Sequence, residues 1–478
     1  MYLATGVGLL GGPSPLAGAA LVAGAALVAW RWCPPEGVFL WAALAGAALV
    51  GWPAVAALGS PPEGGDWTRV DDLGRSMLAL TGLVTPVVAF AGYHSVVHDR
   101  GVYWGGMLVI WVALVVVFTV DHLVAFYVGF EVLAFPMFVQ VGRFGSGVGA
   151  RRRAAFRFLI YTLLGSATAL PALVAAGALA GGYGWGTLVE HPWSSTEAVT
   201  LAGCLVLPFW VKLPLVPFHL WLVEAHVEAP APSSMVLAGL LLKTGGYGYL
   251  RWVAAPFPTG AAWWSPLGVT LGVAGAVTAT LFALVQTDLK RMLAYSSVAH
   301  MGVAGAVLFV GTPAGYAAGV YTMLAHGFCS AGLFSAVGTL YDRYHTRQIR
   351  DLGGLAGGAP WLGGFTFVLC LGNLGFPLTG GFVGEFAALG ELVRLTLVAA
   401  LPVGAATFGC LVYTMWGYNR VFHGVVPERV RRVEDLSPPE WAALAVCVGW
   451  TLTLGVTGGW YWGTTHSCYT ALAGGEPW

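Results

Sequence analysis

Apolar residues follow one another along the chain in long stretches separated by short polar or Gly/Pro-rich breaks. A membrane-spanning helix needs about 20 such residues. Fourteen stretches reach roughly that length: 9–30, 37–58, 73–94, 101–119, 121–141, 155–180, 198–220, 233–254, 264–287, 289–310, 313–341, 361–392, 394–422 and 438–462. No break between them is long enough for a soluble domain. The predicted fold class is all-α, a polytopic membrane protein of about 14 transmembrane helices.

Two stretches are interrupted by prolines and glycines, LPFWVKLPLVPFHLW around Lys212 and GNLGFPLTGGFVGEF leading to Glu385. Pro214 and Pro217 each remove an amide and displace the carbonyl four residues back, and Pro377 does the same to the carbonyl of Asn373. Broken helices 7 and 12 are therefore predicted, with freed carbonyls that need protein or water partners. Lys212 and Glu385 are 173 residues apart, and Glu131 in the fifth stretch is 169 residues from His300 in the tenth. Such similar spacings predict that stretches four to eight repeat as nine to thirteen. Because each unit holds five helices, the second copy enters from the opposite face, giving two inverted five-helix repeats. The chain then divides into N-terminal helices 1 to 3 (1–100), a first repeat (101–254), a second, inverted repeat (255–422), and helix 14 with its tail (423–478).

Charge sets the orientation. Sixteen basic residues fall on one side: Arg31, Arg100, Arg143, Arg151, Arg152, Arg153, Arg157, Lys290, Arg291, Arg343, Arg347, Arg350, Arg420, Arg429, Arg431 and Arg432. Only Arg69, Arg75, Arg251 and Arg394 fall on the other, which places both termini outside by the positive-inside rule. The first thirty residues carry no basic region and no convincing cleavage site, so no removable presequence is expected.

Composition narrows the function. The chain is 57% hydrophobic and 9% charged, against roughly 25% charged in soluble domains. Basic and acidic residues are equal in number at 22 each, leaving no surplus positive charge for a phosphate backbone, so nucleic acid is excluded as a partner. The seven cysteines include no C-x-x-C pair, and neither iron–sulfur nor zinc ligation is expected. Gly6, Gly8 and Gly11 match a dinucleotide-binding glycine pattern, but with no strand before them and no acidic residue at the needed distance the match is chance.

An ionisable side chain at the bilayer centre costs roughly 2.5–3.5 kcal/mol on insertion scales and asks for a partner or a purpose. Glu131, Lys212, Lys243 and Glu385 are the clearest cases, and His300 and His326 lie inside the tenth and eleventh stretches, where a neutral imidazole can accept at one nitrogen and donate from the other. Only three residues are lysines, Lys212, Lys243 and Lys290, and two of these lie inside apolar runs. Lysine can lose its charge where arginine cannot, so this usage separates anchoring from titration. A second tier of proton-handling candidates comprises His219, Glu224, His226, Glu228, Asp288 and Lys290. No helical His pair with an intervening acid occurs among them, so no metal site is expected. Asp121 and His122 open the fifth stretch and Asp288 the tenth, positions that helix capping explains at least as well as proton uptake.

The run VKLPLVPFHLWLVEAHVEAPAPSSMVLAGLLLKTGGYGYLR resembles the antiporter-like membrane-arm subunits of respiratory complex I, the NADH:ubiquinone oxidoreductase. FYVGFEVLAFPMF, TDLKRMLAYSSVAHMG, LAHGFCSAGLF, LYDRYHTRQIRDLGGL and GFPLTGGFVGEF extend the resemblance from about residue 100 to 420. A glutamate at 385 and the lack of a long lateral helix favour chain 4 over sister chains 2 and 5. The resemblance implies a proton-translocating subunit in which Glu131 pairs with Lys212, Lys243 sits centrally, and His300 and His326 link it to Glu385. It further implies that FMN, iron–sulfur clusters, NADH and ubiquinone belong to partner subunits, with no cofactor or metal in this chain. Chains 2 and 5 and membrane lipids, cardiolipin among them, are the implied neighbours. The implied location is the mitochondrial inner membrane, the bacterial plasma membrane being the alternative. The chain departs from the family at Leu222, Val223 and Glu224, where Leu-Pro followed by Lys or Asp is usual. An Mrp-type cation/proton antiporter subunit and a non-pumping structural subunit are the competing readings.

Overall fold

The computed structural model describes residues 44, 46, 50–65, 67–92, 95–96, 98–427 and 433–474. The first predicted stretch, half of the second, Cys33, Arg31, Arg429, Arg431 and Arg432 lie outside the described residues. From the third stretch to the fourteenth, every predicted segment is found as helix. In chain order the elements are α1 (Trp52–Ala56), β1 (Glu63–Gly65), β2 (Thr68–Val70), α2 (Asp72–Gly92), α3 (Arg100–Thr119), α4 (Leu123–Val132), α5 (Ala134–Phe144), α6 (Val148–Ala180), α7 (Trp185–Glu190), α8 (Ser195–Lys212), α9 (Leu220–Glu228), α10 (Ala231–Val236), α11 (Lys243–Tyr249), α12 (Pro258–Leu284), α13 (Leu289–Leu308), α14 (Pro313–Tyr344), α15 (Pro360–Asn373), α16 (Gly380–Leu395), α17 (Leu397–Phe422) and α18 (Pro438–Leu472). Among the described residues eight spans, Leu123–Phe144 one of them, are by themselves long and apolar enough to cross a membrane. Among the described residues the one sheet in this all-α fold is the small antiparallel hairpin of β1 and β2, with Gly64 opposite Arg69.

The eleventh span, α14, lies at the centre, its whole apolar stretch buried among its neighbours. Outer helices instead turn large apolar side chains outward, as Phe135, Leu164 and Val398 do. That distribution is the one expected where lipid, not water, is the surrounding solvent.

Both predicted breaks are present, and they share one backbone pattern. In the seventh span the amide of Leu213 bonds the Phe209 carbonyl (2.8 Å), that of Leu215 reaches Trp210 (2.9 Å), and that of Phe218 reaches Leu215 (2.6 Å). In the twelfth, Leu374 to Cys370 (3.0 Å), Phe376 to Leu371 (3.0 Å) and Thr379 to Phe376 (3.1 Å) repeat it. The offset is 161 residues, so Asn373, not Glu385, stands at the backbone place of Lys212. The freed carbonyls find protein partners: Val211 accepts from the Trp221 indole (3.1 Å) and Asn373 from the Cys410 thiol (3.4 Å). Val223 stands where a family proline is usual, and α9 runs unbroken through it.

The eighth span holds a feature that hydrophobic patterning does not show. Two π-helical turns, Leu237–Leu241 and Leu250–Ala254, flank α11, which begins at Lys243. A wide turn leaves one carbonyl out of the helical ladder. The amide of Leu242 reaches back to Leu237, leaving the Ala238 carbonyl to a side chain, and that of Ala255 reaches Leu250, leaving Arg251. The Trp185 indole fills the second, at 3.1 Å. Gly245 brings α11 against the broken end of α8: a Cβ there would lie 2.7 Å from the Leu213 nitrogen and 2.8 Å from the Phe209 oxygen. These are backbone atoms that cannot swing aside, so Gly245→Ala is expected to destabilise the chain by about 1–3 kcal/mol, read as a lower unfolding midpoint in detergent.

Candidate functional site

Lys243 is wholly buried, and its Nζ fills the first π-turn by donating to the Ala238 carbonyl at 2.5 Å. The same Nζ lies 2.8 Å from Nδ1 of His326 on α14. The ring of His326 is next to that of His300 on α13, with 5.7 Å between centroids, and His300 Nδ1 is 2.6 Å from Glu385 Oε1 on α16. Four ionisable groups from four spans thus form one buried line, Lys243, His326, His300, Glu385. The break in the twelfth span supports its far end. Asn373 Nδ2 donates to Ser296 Oγ (3.1 Å) and Thr414 Oγ1 (3.1 Å), and Cys410 Sγ stands 3.7 Å from His300 Nε2.

Glu131 and Lys212 are not joined in this way. Glu131 takes a hydrogen bond from Ser166 on α6, and no ion pair closes between it and Lys212 within 4.0 Å. Lys212 Nζ is buried without a hydrogen-bond partner and faces the rings of Phe130 (5.2 Å) and Phe158 (5.5 Å). A desolvated cation gains about 2 kcal/mol from an aromatic face, less than the several kcal/mol it takes to remove an ammonium from water. Lys212 is a charge held apart from its expected counter-ion.

The second tier scatters. His219 is buried with Nδ1 unpartnered, and His226 lies flat on Phe334, 4.5 Å between centroids, with neither ring nitrogen bonded. Glu224 forms a surface ion pair with Arg157, and Glu228 accepts from Ser146 (3.2 Å) and the Gly147 amide (3.0 Å). Asp288 caps α13 by accepting from the Arg291 amide at 3.0 Å and pairs with Arg347 at 3.3 Å. Lys290 Nζ donates to the Ala229 carbonyl at 2.5 Å and forms part of the wall of a polar cavity of about 380 Å³ on the side rich in basic residues. Asp99, Arg143, Glu228 and Asp342 line the same cavity. Capping accounts for Asp288 but not for His122, which stands at the start of α4 with no side-chain capping bond.

One cluster escaped sequence reasoning. At the opposite end of the eighth span, Arg251 grips Asp71 with both nitrogens, at 2.7 and 2.5 Å, and both residues are buried. Arg69 stands 3.6 Å from the same carboxylate and lies over Trp185, 4.1 Å from its ring centre. Burial pushes the Asp71 carboxyl up, but the Arg251 guanidinium and its hydrogen bonds outweigh this and hold it below the usual range. Arg251 follows Lys243 by eight residues, a spacing that was the available signal.

The geometry can be set beside known proteins. The family described as NADH:quinone oxidoreductase/Mrp antiporter, TM, matches residues 120–409. NADH-quinone oxidoreductase subunit M of Rhodobacter capsulatus is 36% identical over 401 residues, covering 81% of this chain and 78% of the relative. NADH-ubiquinone oxidoreductase chain 4 of Marchantia polymorpha is 36% identical over 373 residues, covering 78% and 75%. A chain of respiratory complex I from Thermus thermophilus superposes with a TM-score of 0.87 at 26% identity, over 96% of this chain and 99% of that one. A chain of the Mrp complex from Dietzia sp. shares the fold at 0.85 with 20% identity, over 96% and 97%. With the match running from the start of the fifth span to the middle of the thirteenth, through every member of the buried line, the chain belongs to the NADH:quinone oxidoreductase/Mrp antiporter membrane family.

Proposed function

We propose that this chain is a proton-translocating membrane subunit of a respiratory NADH:quinone oxidoreductase, with electron transfer carried out by other subunits. The unbroken contact from Lys243 through His326 and His300 to Glu385 carries the reading. Each member can hold or release a proton, and the longest step, between the rings of His326 and His300, is 5.7 Å from centre to centre. Glu131 and Lys212 are the receiving end: bringing them into contact would favour the charged lysine, and parting them would disfavour it. Moving one charge against 100 mV takes roughly 2.3 kcal/mol, and a shift of one or two pKa units, at about 1.36 kcal/mol each, is of that size.

The two halves 101–254 and 255–422 are the working units, each with its fourth helix broken. In the assembled enzyme FMN, iron–sulfur clusters, NADH and quinone sit in partner subunits, and sister chains 2 and 5 and membrane lipids such as cardiolipin are the neighbours of this chain. Relatives come from both mitochondrial chain 4 and bacterial subunit M, so the membrane is the mitochondrial inner membrane or the bacterial plasma membrane.

The test is His326→Leu in the assembled complex, reconstituted into vesicles with a pH-sensitive dye. Leucine removes the only group joining Lys243 to His300 in the line. Protons delivered per NADH are expected to fall while electron transfer to an artificial acceptor persists. An unchanged yield overturns the relay. The likeness to the Mrp chain gives a second reading, exchange driven by a cation gradient, which NADH-independent sodium efflux from the same vesicles would select.

A further inference from the structure

The outer end of the eighth span holds three buried polar atoms outside the close hydrogen bonds of the protein, Asp121 Oδ1, His122 Nδ1 and the Tyr247 hydroxyl, which has Arg251 beside it, and a fourth, Arg69 Nε, that stands 3.6 Å from the Asp71 carboxylate. They are not scattered. Tyr247 is close enough to Arg251, Asp71 and Asp121 to interact with each electrostatically, and Arg251 lies over its ring at 5.5 Å. Arg69 and Arg251 both act on Asp121. Cys468, from α18, interacts with Asp71, Asp72 and Arg251 and so faces the ion pair but not Asp121. Buried polar groups left without protein partners in one place are where ordered water resides.

The place is also connected at both ends. Asp121 lies between α3 and α4, tied by its backbone to Trp67 (3.0 Å) and Trp185 (3.3 Å), and is only partly buried, so the site reaches the outer surface. Tyr247 stands four residues from Lys243 on α11 and four from Arg251, on one face of the span. Of the two aspartates, Asp71 is saturated by Arg251, Arg69 and the Gly74 amide (3.1 Å). Burial pushes the carboxyl of Asp121 above the usual range against the pull of Arg251 and Arg69. Two carboxyls whose surroundings drive them apart divide the labour, one staying charged and one exchanging protons.

We propose that Asp121 is an outer proton acceptor fed from Lys243 through the Tyr247 hydroxyl and water, so that the eighth span carries a branch to the outer face beside the lateral line toward Glu385. In the step, the Lys243 ammonium gives a proton to water, the Tyr247 oxygen takes one as it releases its own, and the Asp121 carboxylate receives it. Lysine is left neutral, tyrosine unchanged, and the Asp121 carboxyl neutral until it releases the proton to outer water. Lys243 must leave the Ala238 carbonyl to do this, which makes the π-turn the point of choice between the two routes.

The branch rests on the relay reading and is tested with it, in the reconstituted complex. Tyr247→Phe removes one hydroxyl beside Arg251, which keeps its two bonds to Asp71, and Asp121→Asn preserves shape, so both should assemble. Each is expected to remove part of the protons per NADH that Lys243→Met removes, the lateral line toward Glu385 remaining open, with Asp121→Glu restoring the yield. A carboxyl C=O infrared band that appears during turnover should vanish in Asp121→Asn. Wild-type yields in Tyr247→Phe and Asp121→Asn, beside a loss in Lys243→Met, overturn the branch alone. A loss in Asp121→Asn that Asp121→Glu does not restore overturns the acceptor role. A wild-type yield in Lys243→Met overturns the relay and the branch with it.

Discussion

Lys243→Met is expected to abolish proton delivery through this chain while leaving its helices in place. Methionine is unbranched and nearly fills the space of the lysine stem, so no large cavity opens in a wholly buried site. The lost contacts are the one to the Ala238 carbonyl at 2.5 Å and the one to His326 at 2.8 Å. Leaving that carbonyl bare costs about 1–3 kcal/mol, a loss that a chain held by so many helix contacts should survive. What cannot survive is the transfer itself, because thioether sulfur neither carries a proton nor donates one. Proton yield per NADH, measured with electron transfer to an artificial acceptor as the control for assembly, decides the matter. An unaltered yield would remove Lys243 from the path.

Arg251→Met carries the largest structural effect. The bidentate pair with Asp71 is fully enclosed, with the two side chains 1% and 2% exposed. Removing one partner of such a pair typically costs about 3–5 kcal/mol, because the remaining charge stays buried. Arg69, at 3.6 Å, returns only part of that. Little folded chain should therefore be recovered, whereas Arg251→Met combined with Asp71→Leu should restore most of the stability, since a well-packed apolar pair replaces a buried ion pair at little cost. The unfolding midpoint in detergent distinguishes the two. The pair's contribution has a definite pH range: the Asp71 carboxyl is held below its ordinary value of 3.8, so the stabilisation is present above that pH and is lost as the solution is acidified through the lower, folded-state value.

Lys243, His326, His300 and Glu385 stand out in the sequence because each interrupts an apolar run, where an ionisable group is conspicuous. The breaks were visible for a similar reason, since proline cannot hide in a helix. Asp71 and Arg251 were not visible in this way. They sit at the ends of spans, where a charge is ordinarily read as an anchor or a cap, and their partnership crosses 180 residues of chain. Asn373 is neutral and drew no attention, although it stands at the backbone place of Lys212. The π-turns escaped because widening a helix by one residue barely alters a hydrophobic pattern that is apolar on every face. The pairing of Glu131 with Lys212 came from family resemblance. The structure shows it open, with Ser166 and two phenyl rings in place of the mutual contact.

Those two rings bear on which ion this membrane route can accept. A sodium ion leaves water only when a cage of oxygens replaces its hydration shell, as carbonyl rings and carboxylate clusters do in cation channels. Two phenyl rings face Lys212, and along the joined line the groups that meet are an amine, two imidazoles and a single carboxylate. Nitrogen bases of this kind exchange hydrogen nuclei readily and offer little to a hard metal cation. Selectivity for H⁺ over Na⁺ would then reside in the nitrogen bases that meet along the route, without any filter of a particular width.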